Sequence, residues 1–204
     1  VVITSDIAEL YDYDLGENYI GACNDLSVIN VPVFTEYMSK HVGIDKTRYI
    51  NSGVLLLNLK KMRNNNFDEH FINLLSKYHF DSVAPDQDYI NAICEDRILY
   101  LPSSWNTMPN TIFEKDENAK LIHYNLFSKP WCADEVQYGD VFWEYAEKSV
   151  YYKNILQIKS EFNEEKAEAE RKCLENMLKR AAEISMSDIT FKKIAASGER
   201  IKLW

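Results

Sequence analysis

The longest uninterrupted apolar run in the chain is residues 53–57, closed by Asn58. A run of that length suits a β-strand and falls far short of the roughly 20 residues of a membrane-spanning helix. Within it the apolar residues do not alternate with polar ones, so residues 54–59 are predicted to form a strand buried on both faces. Such a strand needs a layer above and below it, and helical patterns supply them. Phe67, Phe71, Leu74, Leu75 and Tyr78 recur at helical spacing. Pro85-Asp86 reads as a helix start, because proline suits the first turn and acids suit the positive end. Residues 19–23, 97–101 and 120–124 read as further short strands. Strands alternating with helices argue for an α/β fold.

Composition removes several alternatives. In 204 residues, 46% are hydrophobic and 27% charged, which is ordinary for a globular chain. Lys plus Arg is 23 against 32 Asp plus Glu, a net charge of −9. That balance gives no basic face for nucleic acid. Cys23, Cys94, Cys132 and Cys173 form no CxxC pair, which excludes a zinc ribbon or a thioredoxin motif. Spaced so widely, they read as thiols in a reducing compartment, hence a cytoplasmic protein.

Charge also divides the chain. Residues 1–152 carry 12 basic and 23 acidic residues, a net of −11; residues 153–204 carry 11 and 9, a net of +2. All five prolines precede residue 131. The expected organisation is an α/β portion over 1–150 and a helical tail over 151–204 with a short basic end. The tail's apolar positions, from Ile155 to Ala181, are too irregular for a coiled-coil seam and fit a helical appendage with a solvated face.

Three polar clusters interrupt this frame. Tyr49-Ile50-Asn51-Ser52-Gly53 leads into the apolar strand and reads either as a plain turn or as an amide offered to a hydroxyl-rich ligand. Pro85-Asp86-Gln87-Asp88-Tyr89-Ile90-Asn91 puts two carboxylates around an amide at a helix start, which N-capping explains for one acid but not for two. His123-Tyr124 closes a strand, where α/β folds place ligands, and Lys129-Pro130-Trp131 follows six residues later. A neutral imidazole suits a divalent metal and a lysine suits a phosphate.

Taken in order and at these spacings, the three clusters resemble the family-8 retaining glycosyltransferases, relatives of glycogenin and of bacterial lipopolysaccharide galactosyl- and glucosyltransferases. The segments Ser5-Asp6-Ile7-Ala8-Glu9-Leu10-Tyr11 and Asp14-Leu15-Gly16-Glu17-Asn18-Tyr19-Ile20-Gly21-Ala22 extend the resemblance, which covers residues 1 to about 145. It implies a GT-A fold with a mixed sheet. It also implies retaining transfer of a hexose from a UDP-sugar donor to a glycan or lipopolysaccharide acceptor. Mn²⁺ (or Mg²⁺) would act as Lewis acid on the leaving diphosphate. By the same resemblance His123 is a metal ligand and Lys129 binds the diphosphate. Asp25, Asn51 and Asp86 contact sugar hydroxyls. Gln87 lies beside the anomeric carbon, where an amide, a poor nucleophile, stabilises an oxocarbenium-like state.

Two departures qualify the match. Leu126 stands where some family members have a glycine that lets the backbone approach the phosphate. The family's Asp-x-Asp metal motif is missing: Asp12-Tyr13-Asp14 has the pattern but follows residues 9–11 and is expected to be a solvated loop. The chain is therefore expected to be the C-terminal part of a longer enzyme, without the nucleotide-binding half and inactive alone. A carbohydrate-binding module without chemistry is the alternative. A hydrolase using His123 with Asp86 and Asp88 is disfavoured, because His41, His70 and His79 stand in no ligand motif. Finally, residues 191–194 and 200–204 mix basic and apolar side chains, which suggests weak peripheral contact with the inner face of a membrane.

Overall fold

Ile20, Ala22 and Cys23 are almost wholly shielded from solvent, and the strand that carries them is the middle of the larger sheet. The computed structural model describes residues 1–109, 114–127 and 129–203. In chain order its elements are β1 (Val2–Ile3), α1 (Ala8–Tyr11), β2 (Ile20–Asn24) and α2 (Pro32–Tyr37). A π-helical turn (Met38–Val42) precedes β3 (Ile50–Leu57), α3 (Leu59–Asn64), α4 (Phe67–Tyr78), α5 (Pro85–Cys94) and β4 (Ile98–Tyr100). A 3₁₀ turn (Ser103–Asn106) leads to β5 (Leu121–Ile122), α6 (Gly139–Glu147), α7 (Tyr152–Ser160), α8 (Glu164–Ser185) and α9 (Phe191–Ala196). The chain forms two compact units, one of Val1–Leu10 with Pro102–Glu175 and one of Tyr11–Leu101 with Asn176–Trp204.

The second unit is built on a mixed sheet in the order β3-β2-β4. β2 runs antiparallel to β3, with Ile20 opposite Leu57 and Ala22 opposite Leu55, and the register shifts between Ala22 and Asn24. β2 runs parallel to β4, with Gly21 opposite Leu99. A Cβ on Gly21 would lie 3.0 Å from Leu15 and 3.4 Å from Leu101, so a side chain at this crossing would require the leucines to shift. β3 differs from expectation. It starts at Ile50, and it is an edge strand: Ile50 and Asn51 are buried, but Leu55 and Leu56 are half-buried and Leu57 is exposed. A strand with one neighbour cannot be covered on all sides, so an uninterrupted apolar run overstates its burial.

α4 matches its predicted span, with Leu74 buried and Phe67, Phe71 and Tyr78 packed on the core, while Leu75 is exposed. The core joins Tyr19, Ile20, Phe34, Tyr37, Met38, Ile50, Tyr89 and Ile93 to residues from the chain's end: Ala181, Ile184, Phe191, Ile201 and Leu203. The first unit pairs β1 with β5 antiparallel, Val2 opposite Ile122, and gathers Val2, Ile122, Tyr124 and Tyr138 under Phe142.

The tail is helical, as its composition requires, but the structure divides the chain along lines other than residue 150. The charged stretch of α8 is solvated, with Arg171 paired to Glu164 and Glu168. Its last turns are not: Ala181 and Ile184 are buried. Beyond it, Phe191, Ile201 and Leu203 are 1%, 5% and 2% exposed. Lys192 donates to the Ser39 carbonyl, and Lys202 pairs with Glu95 at 2.9 Å and Asp96 at 2.6 Å. The apolar side chains that suggested membrane contact are thus consumed by the protein's own core, and the cations by its carboxylates and carbonyls. Trp204, the last residue of that suggestion, lies outside the described residues.

Candidate functional site

α5 begins with Pro85, whose fixed φ and missing N–H fit the first turn. The residue before the helix is Ala84, which offers no capping side chain. Asp86 is exposed, and its Oδ2 accepts from the Ser52 hydroxyl at 2.7 Å. Its charge still faces the positive end of the helix. Gln87 is buried, 8% exposed, and bonds in two directions. Its Oε1 accepts from the Ser52 N–H at 2.9 Å, and its Nε2 donates to Asp25 Oδ2 at 2.9 Å. A backbone N–H can only donate and a carboxylate can only accept, so these partners allow one orientation of the amide.

Asp25 follows β2 and is 5% exposed. Its Oδ2 also accepts from Asn51 Nδ2 at 3.0 Å, while Oδ1 takes the Ser27 N–H at 3.2 Å and the Ser27 hydroxyl. Asn51 Oδ1 accepts from the Gly53 N–H at 2.9 Å. Asp25, Asn51, Asp86 and Gln87, separated by up to 62 positions in sequence, therefore belong to one hydrogen-bonded cluster in the second unit, with Ser52 at its centre. Four donors converge on the Asp25 carboxylate, which places it as the hub that orients Asn51 and Gln87.

Asp88 has a different part. It is fully buried and accepts from the hydroxyls of Tyr37 and Tyr49, both at 2.6 Å, and from Ser82. Burial raises its pKa. The second carboxylate of the Asp-x-Asp at 86–88 is thus an internal anchor. Asn91 was quoted in the motif but assigned no part, and it too is fully buried. It bonds both the N–H and the C=O of Ile50.

His123 and Lys129 belong to the first unit. The His123 N–H donates to the Thr107 carbonyl at 2.8 Å, which extends the β5 edge by one residue. Its Nδ1 lies 3.0 Å from Oδ1 of Asn106, itself 2% exposed. Against an amide oxygen Nδ1 is the protonated nitrogen, which puts the lone pair on Nε2. Lys129 donates to the Tyr124 carbonyl, and burial lowers its pKa. Ser128, which precedes it in the motif, lies outside the described residues. Leu126 has φ +48°, in the left-handed region, and is exposed. The backbone here takes the conformation that favours glycine although the residue is leucine.

The expected Mn²⁺ or Mg²⁺ finds one donor here, the His123 imidazole. Among the described residues no three His, Cys, Asp or Glu side chains group as a metal site. Asp12 and Asp14 are exposed in a turn, where Asp14 accepts from the Gly16 N–H, so they form the solvated loop expected of them. One imidazole does not hold a divalent cation, so the described residues do not by themselves fit the metal.

The family model for glycosyl transferase family 8 matches residues 1–135. The chain belongs to that family. A putative glycosyltransferase of Haemophilus influenzae is 31% identical over 105 residues, covering 52% of this chain and 31% of its own length. The lipopolysaccharide 1,2-glucosyltransferase of Escherichia coli is 33% identical over 96 residues, covering 41% of this chain and 28% of its own. Among solved structures, an active-site mutant of LgtC aligns with a TM-score of 0.57 and 27% identity, covering 72% of this chain and 57% of that one. A bifunctional glycosyltransferase, WbbM, aligns at 0.67 with 23% identity, covering 77% of this chain and 33% of that one. The fold is thus that of the GT-A glycosyltransferases. The chain spans between a fifth and just over half the length of the first curated relatives that it matches.

Ser52, Asn91 and Asn106 are the residues that sequence reasoning passed over. Ser52 and Asn91 stood inside quoted motifs, and their polar side chains beside an apolar strand and on a helix were the available signal. Asn106 carried none, since its partnership with His123 depends on the 3₁₀ turn.

Proposed function

We propose that this chain is the C-terminal part of a retaining glycosyltransferase that moves a hexose from a UDP-sugar to a glycan or lipopolysaccharide acceptor. The observation that carries the proposal is the cluster of Asp25, Asn51, Asp86 and Gln87, assembled from three separate segments. Two carboxylates and two amides, held by one another and by Ser52, suit a sugar bearing several hydroxyls. Asp86 and Asn51 contact those hydroxyls, and Asp25 acts on the sugar through Asn51 and Gln87. The Gln87 amide, fixed in orientation, places its carbonyl dipole to stabilise positive charge at the anomeric carbon. Preorganisation is the gain, because no amide has to turn as that charge develops.

By the family resemblance, His123 and Lys129 are proposed to serve the diphosphate. Burial lowers the pKa of Lys129, and an anionic diphosphate beside it would raise it again. His123 offers Nε2 as a metal donor. To hold Mn²⁺ or Mg²⁺, His123 would need carboxylates from a longer polypeptide, and the ion would then supply Lewis-acid chemistry at the diphosphate. The length of the relatives is the support for such a polypeptide. The proposed compartment is the cytoplasm, where a nucleotide-sugar donor is made. No helix among the described residues is long and apolar enough to cross a membrane.

The test is UDP release from UDP-glucose and UDP-galactose, with Mn²⁺ or Mg²⁺ and a glycan acceptor. It uses this chain alone and this chain joined to its upstream coding sequence. Turnover is expected only from the longer form and is expected to fall by about two orders of magnitude in Gln87→Ala. Hexose binding without turnover by the longer form would replace the enzyme with a carbohydrate-binding module.

A further inference from the structure

Residues of β3 alternate in where their backbone groups point. The Tyr49 carbonyl accepts from the Asp25 N–H and so faces β2. Ile50 and Ser52 therefore present theirs on the free edge of the sheet, where a buried N–H or C=O needs a partner. α5 supplies it with side chains. Asn91 Oδ1 accepts from the Ile50 N–H at 2.9 Å and Asn91 Nδ2 donates to the Ile50 C=O at 3.0 Å. Gln87 Oε1 accepts from the Ser52 N–H. Two residues of strand rise about 6.6 Å and four of helix about 6.0 Å, so amides at i and i+4 on a helix meet the groups at i and i+2 of a strand. The helix thus presents a pseudo-strand of two carboxamides. Asn91 Nδ2 also donates to the Gln87 carbonyl at 2.9 Å, tying the two positions together.

We propose that Asn91 is a positioning residue: its carboxamide sets the register of α5 against β3 and so holds the Gln87 amide with oxygen toward Ser52 and nitrogen toward Asp25. Among the described residues its side chain hydrogen-bonds Ile50 and Gln87 rather than Asp25 or Asp86, and through them it reaches the cluster. The inference rests on the proposed glycosyltransferase reading for its catalytic consequence. The geometric part stands without it.

The experiment therefore has two readouts. In ¹⁵N spectra of this chain, the Gln87 side-chain protons and the Ser52 N–H are expected to exchange slowly with solvent. In Asn91→Ala they are expected to exchange at least tenfold faster, while core signals of β2 and α4 stay in place. Asn91→Asp keeps the shape and serves if the alanine variant fails to fold. Its carboxylate repels the Ile50 and Gln87 carbonyls, so exchange at neutral pH is faster than in wild type, and protonation on acidification restores a donor and narrows the ratio to wild type measured at the same pH. In the longer, active polypeptide, kcat is expected to fall about 100-fold with KM changed less than about threefold. Folded variants with unchanged Gln87 and Ser52 exchange, or with unchanged kcat, overturn the inference. A wild-type longer form that turns over no UDP-hexose sinks the glycosyltransferase reading instead, and leaves the exchange result to judge Asn91.

Discussion

Phe191 is the sharpest point at which to test how the end of the chain is held. It is 1% exposed, stacks on Phe80 with ring centres 3.9 Å apart, and meets Tyr89 edge-on at 4.9 Å and His41 at 5.4 Å. Phe191→Ala removes a fully buried ring from an aromatic cluster that cannot close over the gap. Such truncations cost about 3–5 kcal/mol, a large part of the roughly 5–15 kcal/mol that holds a domain. With a urea slope of about 2 kcal/mol per molar, the unfolding midpoint is expected to drop by about 2 M. A second effect follows from His41. Its ring is wholly buried, neither nitrogen has a hydrogen-bond partner among the described residues, and burial pushes its pKa down to about 4. The unfolded chain takes up a proton near pH 6.5 and the folded chain does not. Stability is therefore full above pH 6.5 and declines as pH falls toward 4, by on the order of 3 kcal/mol. Opening the cluster lets water reach the ring, so the same variant is expected to be less stable at neutral pH yet less sensitive to acid. Urea titrations followed by circular dichroism at pH 7.5 and pH 5 measure both. A midpoint within about 0.3 M of wild type would refute the reasoning, because the residue would then be a bystander at a frayed end.

Other expectations follow from single residues. Leu126→Gly relieves a left-handed backbone and is expected to raise stability by about 1 kcal/mol, read as an increased thermal midpoint; a loss would show that the leucine side chain is needed. Asp88→Ala strips three hydroxyls of their acceptor and is expected to cost on the order of 3 kcal/mol, whereas Asp88→Asn, which keeps the shape, costs less than about 1 kcal/mol in chemical denaturation. Because burial raises the Asp88 pKa, its carboxyl favours the fold most below pH 4 and loses that contribution as pH rises through the folded value. Asp88→Asn is expected to remove that part of the pH profile. Asp25→Ala is expected to free the Gln87 and Asn51 amides, seen as faster exchange of both side-chain signals.

Much of this was legible because short motifs obey local rules. Helical periodicity defined α4 at its observed bounds, and Pro85-Asp86 marked the start of α5. Asp25, Asn51, Asp86 and Gln87 follow from the family resemblance rather than from local rules, and the structure joins them in one hydrogen-bonded cluster. What escaped detection depends on distance in sequence. The burial of β3 turned on its being an edge strand, which no run of leucines reveals. Phe191, Ile201 and Leu203 looked like a lipid-facing end because their partners, Phe80, Tyr89 and Ile93, lie about a hundred positions earlier. Asp88 looked like one of two equivalent carboxylates, yet the helix turns it inward, away from Asp86, to three hydroxyls. Helix geometry sends residues two positions apart to different faces, so a motif three residues wide can serve both a ligand and the core.

The central claim, that this chain carries both sugar-contacting and diphosphate-contacting residues of a family-8 transferase, is tested most directly by calorimetric titration of UDP with and without Mn²⁺. The titrations use this chain, its extension through the upstream coding sequence, and that extension carrying His123→Ala. Binding is expected only in the extended form, is expected to depend on Mn²⁺, and is expected to be lost in the variant. No binding by either form, or binding indifferent to both Mn²⁺ and His123, would contradict it and leave a family resemblance confined to the fold.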